Sequence, residues 1–100
     1  YKMEKIVRDE MVAVAVSSGF GAGWSTWNDV DPMDARFNQL FLDEEYKKAA
    51  DLCEQLGLGY ANGAYDVVIR WVPEGTKFRI DEYDGSESLV TEDLDPWRIA

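Results

Sequence analysis

The stretch Met11-Val12-Ala13-Val14-Ala15-Val16-Ser17-Ser18-Gly19-Phe20-Gly21-Ala22-Gly23-Trp24-Ser25-Thr26-Trp27 frames the reading of the whole chain. Its first part is an unbroken apolar run rich in valine, which predicts a strand from Met11 to Ser18. A run without polar alternation fits a central strand covered on both faces. Ala13 and Ala15 share one of those faces, where a helix can lie close. The second part changes character. Three glycines at alternate positions, Gly19, Gly21 and Gly23, give up side-chain packing and raise the entropy cost of ordering the backbone. Trp24 and Trp27 do the reverse, since each carries a large flat surface with one N–H donor. Two readings of this loop stand side by side. It is a tight bend whose glycines let both indoles dock on the sheet, or it is a site where close backbone and aromatic plates receive a flat polar ligand such as a nucleotide.

Working outward, residues 3–10 read as a short strand or a lead-in. Residues 19–42 read as a long, mostly irregular connection. Asn28-Asp29-Val30-Asp31-Pro32 has turn chemistry, and Pro32 opens a short helical turn through Phe37. A connection this long is functional or disordered, and its aromatics Phe20, Trp24, Trp27, Phe37 and Phe41 argue against disorder. Asp43 to Leu56 reads as the one main helix. Asp43 is the expected N-cap, and Tyr46, Ala49, Ala50, Cys53 and Leu56 form an apolar stripe. Gly57 stops it, with Leu58 folding back onto Cys53 in a Schellman ending. The remainder reads as a β-meander: Tyr65–Val72, a Pro73-Glu74-Gly75 turn, Thr76–Tyr83, an Asp84-Gly85 hairpin turn, and Ser88–Thr91. Trp97 is expected to pack on the core or a sheet edge. The fold class is therefore α+β, with an antiparallel sheet of about four strands and one main helix on it.

The chain has 100 residues, the size of one domain spanning 1–100, with Tyr1-Lys2 expected to be a tag remnant before Met3. Apolar residues at 46% and aromatics at 13% suffice for a core. No apolar run approaches the roughly 20 residues that cross a bilayer, so no membrane role is expected. The single Cys53 allows no internal disulfide and fits a reducing, cytoplasmic setting. Twenty acids against ten bases leave a net charge of −10. That surface repels nucleic acid, keeps a small protein soluble, or mimics nucleic-acid phosphates toward a basic groove on another protein.

Chemistry is bounded by an absence: there is no histidine. The commonest general base and metal ligand are missing, and neither a Ser-His nor a Cys-His pair exists. One cysteine without histidine also excludes ordinary structural zinc. Asp29, Asp31 and Asp34 lack the glycine and distal glutamate of an EF-hand loop. The acids of Asp81–Glu87 alternate faces on a strand. Gly19-x-Gly21-x-Gly23 is neither a dinucleotide fingerprint nor a phosphate-binding loop. We therefore expect no catalytic residue, no metal and no cofactor. The expected ligand-binding set is Phe20, Gly21, Gly23, Trp24, Ser25, Thr26 and Trp27, with Arg36, Arg70 and Arg79 converging to hold an anion.

The stretch Val12–Trp27, together with Trp71-Val72-Pro73-Glu74-Gly75-Thr76-Lys77-Phe78-Arg79-Ile80-Asp81-Glu82-Tyr83-Asp84-Gly85-Ser86-Glu87, resembles small proteins encoded by bacteriophages. The resemblance covers about a third of the chain and carries over no catalytic residue. It implies an inhibitor of host defence: a sponge for a cyclic or ADP-ribose-type signalling nucleotide, or an acidic protein that occupies a host enzyme. A sponge buries most of its ligand, and a chain this short has little room for one. A homo-oligomer with the pocket at a subunit boundary is therefore expected. The rival partner surface is the acidic face Asp81–Asp95, with Asp81, Glu82, Asp84, Glu87, Glu92, Asp93 and Asp95 and no base. A small carboxylate-dependent nucleotide hydrolase is a second rival, and turnover separates it from a sponge.

Overall fold

A computed structural model describes residues 4–91. The expected central strand is β2 (Met11–Ser17), and Val12 through Ser17 are all buried. A short strand β1 (Val7–Arg8) pairs with it antiparallel through the Asp9-Glu10 turn. Both turn residues take positive φ, 51° and 65°, as the two-residue turn of a twisted hairpin requires. On its other side β2 pairs antiparallel with β3 (Val67–Pro73), with Val14 opposite Arg70 and Val12 opposite Val72. The direction of the first strand, unreadable from sequence, is thus settled in a three-stranded sheet of order β1-β2-β3.

The expected meander is corrected. After β3 the chain forms β4 (Phe78–Tyr83) and β5 (Ser86–Thr91), which pair only with each other through the Asp84-Gly85 turn. They do not extend the first sheet. They lie over its valine face, where Phe78, Ile80 and Leu89 pack on Val14, Val16 and Val72. The reason lies in β2 itself: a strand apolar on both faces needs cover on both. A single four-stranded sheet under one helix would leave Val14 and Val16 wet.

The other face of β2 carries the helices. Here too the expectation is corrected, because there are two. α1 (Ala35–Leu42) occupies what read as irregular connection, and α2 (Tyr46–Gln55) is shorter than the 43–56 span. Asp43 is the C-cap of α1, not the N-cap of the next helix. Glu44 sits in the left-handed region at φ 58°. The Glu45 N–H donates to Leu40 O and the Glu44 N–H to Phe41 O, at 2.8 and 3.1 Å. This is a Schellman ending with glutamate where glycine is usual, which is why the sequence did not announce it. The second ending reads as expected: Leu58 N–H reaches Cys53 O at 3.1 Å, with Gly57 at φ 70°.

α1 begins at Asp34, whose side chain accepts from Arg36 N–H at 2.9 Å. Its buried Asn38 donates from Nδ2 to Ala13 O and Pro32 O, at 3.0 and 2.9 Å, pinning the helix to β2. The helical core holds Ala15, Trp24, Phe37, Phe41, Ala49, Ala50, Cys53, Ala64 and Val67. Each fully buried large apolar side chain contributes roughly 1.5–3 kcal/mol. A 3-10 helix over Ala61–Asp66 replaces the start of the expected 65–72 strand. No described helix is long and apolar enough to cross a membrane.

Candidate functional site: a clamped loop and its rim

The glycine–tryptophan loop is held by a residue that sequence reasoning placed on the acidic rim. Glu87 stands on β5, on the same face as Leu89, and is 5% exposed. Its Oε1 accepts the Ser17 N–H at 2.8 Å. Its Oε2 accepts the backbone N–H groups of Trp24 and Thr26, at 2.9 and 3.0 Å, and the Thr26 hydroxyl. One carboxylate thus gathers the end of β2 and the turn of the loop. Such charge-assisted bonds are about twice as strong as neutral ones. Glu87 therefore does not belong to the acidic face. The clue was available: strict alternation along Glu87, Leu89 and Thr91 puts the glutamate on the inward side.

Two glycines outside the loop let the chain approach it closely, while Gly21 within it takes a positive φ of 92°. A side chain on Gly63 would meet the backbone oxygen of Gly23, and one on Gly85 would lie 2.5 Å from Ala22 N. The Gly21 N–H donates to Asp84 O at 2.7 Å, so the tip of the β4–β5 hairpin is stitched to the loop. Asn28, 5% exposed, adds a second tie: its Nδ2 donates to Trp24 O and Tyr60 O, and its Oδ1 accepts the Tyr60 N–H. Both Glu87 and Asn28 were missed as organising residues.

The two indoles part company. Trp24 is 0% exposed and meets Phe37 and Phe41 edge-on, with ring centroids 5.0 and 5.3 Å away. Its Nε1 is buried with no hydrogen-bond partner among the described residues. Trp24 is core filling, which corrects its placement among ligand contacts. Trp27 is half-buried and meets Tyr60 at 5.1 Å with planes at 76°. Gly23 is buried, Ser25 half-buried, and the exposed Thr26 is committed to Glu87. Phe20 and Gly21 are exposed, with the Phe20 ring at 69%. The loop thus leaves Phe20 in water, and Trp27 partly open against Tyr60, on backbone tied by Glu87 and Asn28.

The arginines do not converge within one chain. Arg36 starts α1 and pairs with Asp34 at 2.9 Å. Arg79 lies on the outer face of the hairpin and pairs with Asp81 at 3.0 Å. Arg70 is exposed on β3, opposite Val14 on the hairpin side of the sheet, with no ion pair among the described residues. The three therefore occupy three layers. An open groove of about 490 Å³ lies elsewhere, lined by Asp29, Val30, Asp31, Asp34, Arg36, Phe37, Leu56 and Leu58, and of the expected set it holds Arg36 alone.

Electrostatics add little reactivity. Glu82 is held below the ordinary carboxylate range, first by the Gly85 N–H and then by Trp27. Burial pushes the Cys53 thiol up, Glu54 adds to it, and the thiol donates to Asn28 Oδ1 at 3.7 Å. That matches a core cysteine, since the thiolate is the reactive form. Among the described residues no group of three or more histidine, cysteine, aspartate or glutamate side chains is placed to hold a metal. Of the expected acidic face, Asp81, Glu82 and Asp84 are exposed. Glu92, Asp93, Asp95 and Trp97 lie outside the described residues, as do Tyr1 and Lys2. No protein-family model, curated protein or solved structure matches this chain.

Proposed function

We propose that this chain is a non-catalytic binding protein that sequesters a nucleotide-derived signalling molecule, as its resemblance to small proteins encoded by bacteriophages implies. One observation carries the reading. Flat aromatic surface is kept in water beside backbone tied by Glu87, Asn28 and the hairpin tip, with Phe20 69% exposed, Tyr60 52% exposed and Trp27 partly open. Exposed aromatic surface is unfavourable in itself, and rigid rings lose little entropy when a flat ligand stacks on them. The binding set becomes Phe20, Trp27 and Tyr60, with Arg70 as the cation. Trp24, Gly23, Thr26 and Glu87 become its foundation. A pocket completed by a second copy accounts for the scatter of these groups over the surface of one chain.

The test is recovery of the ligand. Protein loaded with a signalling nucleotide and then heat-denatured releases that nucleotide unchanged if the chain is a sponge. Release of a hydrolysed product assigns it to the enzymes instead.

A second reading has its own support. Tyr83, 79% exposed, stands beside Asp81, Glu82 and Asp84 at the hairpin tip. An aromatic anchor in an acidic frame fits a basic protein partner. Reversing the charge of Asp81 and Asp84 abolishes inhibition of a host enzyme in that case, and leaves nucleotide capture untouched in the first.

A further inference from the structure

Among the described residues, β3 pairs on one side only, with β2, and its other edge has no strand beside it. Along β2 the N–H groups of Ala13, Ala15 and Ser17 point away from β3, to Ile6 O, Pro32 O and Glu87 Oε1. The even residues of β2 therefore face β3, and the register makes Val68, Arg70 and Val72 their partners. Val67, Ile69 and Trp71 must then direct their backbone groups to the other edge. The Val67 N–H is already bonded to Ala64 O, which leaves its carbonyl. Pro73 has no N–H. The available groups are the Val67 carbonyl and both groups of Ile69 and Trp71; paired about Ile69, all of them find partners except the Trp71 carbonyl, which stays in water.

We propose that two copies join β3 to β3 antiparallel about a two-fold axis at Ile69, and that the two Arg70 side chains then form one site for a diphosphate-type anion. The inference rests on the binding function proposed above and supplies its missing cationic half. In this register each Ile69 exchanges both bonds with its equivalent, and each Trp71 N–H donates to the Val67 carbonyl of the other copy. Charge opposes a second copy least at this edge. In a chain of net charge −10, most of the surface repels a second copy, whereas Val67–Pro73 carries no carboxylate and one arginine. Val68, 41% exposed, gains an apolar cover from the aliphatic stem of the Arg70 opposite it. The two Arg70 residues stand diagonally on one face, with Cα atoms about 7–8 Å apart, so long side chains meet. Like charges at that spacing repel until an anion sits between them. A pyrophosphate group matches two guanidinium forks.

The test uses the full chain with inorganic pyrophosphate as probe. Hydrogen exchange should show the Ile69 and Trp71 amides protected at high protein concentration. Protection should fall at least about tenfold on dilution as dimers part. Light scattering should give twice the chain mass at the high concentration. Val68→Arg, an exposed position where the fold tolerates change, should return the monomer mass by facing Arg70 with a like charge. Arg70→Ala should keep the dimer and weaken pyrophosphate binding by about tenfold or more. Protection that ignores dilution means that another part of the same chain holds the edge, and overturns the proposal. So does the absence of protection. A dimer indifferent to pyrophosphate overturns the anion site. Nucleotide capture by a monomer refutes this inference while leaving the binding function standing.

Discussion

Replacing Glu87 should be the most destabilising single polar change in the described chain. In Glu87→Ala the N–H groups of Ser17, Trp24 and Thr26 and the Thr26 hydroxyl all lose their acceptor. Thr26 is exposed, so water replaces its share. Ser17 is 0% exposed and Trp24 equally so, and their N–H groups have no such relief. Two buried orphan donors at about 1–3 kcal/mol each, with the loss of charge-assisted bonds, give a cost of about 4 kcal/mol. Glu87→Gln is the sharper variant. One amide oxygen can serve the three donors that now meet Oε2, but its NH₂ then faces the Ser17 N–H. The expected cost is about 2–3 kcal/mol. For a domain of this size each kcal/mol shifts the melting temperature by roughly 4–8 °C. Urea unfolding at neutral pH, followed by tryptophan fluorescence, measures both. A loss under about 1 kcal/mol for Glu87→Ala would refute the clamp.

Other expectations are simpler to check. Glu44→Gly relieves a left-handed glutamate in the α1–α2 turn and should raise stability by roughly 0.5–1 kcal/mol in the same unfolding assay. Gly63→Ala drives a methyl into the Gly23 carbonyl, and should cost well over about 2 kcal/mol or leave the protein insoluble on expression. Phe20→Ala changes stability by less than about 0.5 kcal/mol, because the ring is mostly in water, yet it should remove nucleotide binding by calorimetry. The depressed Glu82 carboxyl adds stability above its ordinary pKa of 4.5, and that stability is lost as pH falls through the lower folded value. Glu82→Gln should therefore flatten the acid limb of the unfolding midpoint against pH.

What the sequence disclosed follows from how local each signal is. The buried strand at Met11–Ser17 was legible because an apolar run without alternation has one good solution, cover on both faces. The Asp84-Gly85 turn and the Gly57 helix stop were legible because glycine in the left-handed region is its own announcement. The break between α1 and α2 was hidden because Glu44 adopts that conformation without being glycine. The separate hairpin layer was hidden because Phe78 and Ile80 alternate identically in a sheet or above one. At the site, the loop glycines were read either as a tight bend or as a ligand site; Gly21 takes the positive φ of a bend, and Gly23 lies against the Thr26 and Trp27 side chains with its carbonyl over Gly63. Trp24 and Trp27 differ by three positions, yet one enters the core and one reaches the surface. The bonds from Glu87 and Asn28, far apart in sequence, hold the turn between them.

The central claim is that a rigid, internally clamped loop presents its aromatic rim, with Arg70, to a nucleotide. Thermal shift against a panel of signalling nucleotides tests it most directly, comparing the natural chain with Phe20→Ala and Arg70→Ala. At about 100 times its dissociation constant a ligand stabilises the folded state by about 2.7 kcal/mol. The account predicts that at least one nucleotide raises the melting temperature of the natural chain and of neither variant. A chain that no nucleotide stabilises, or a shift that survives both substitutions, contradicts it.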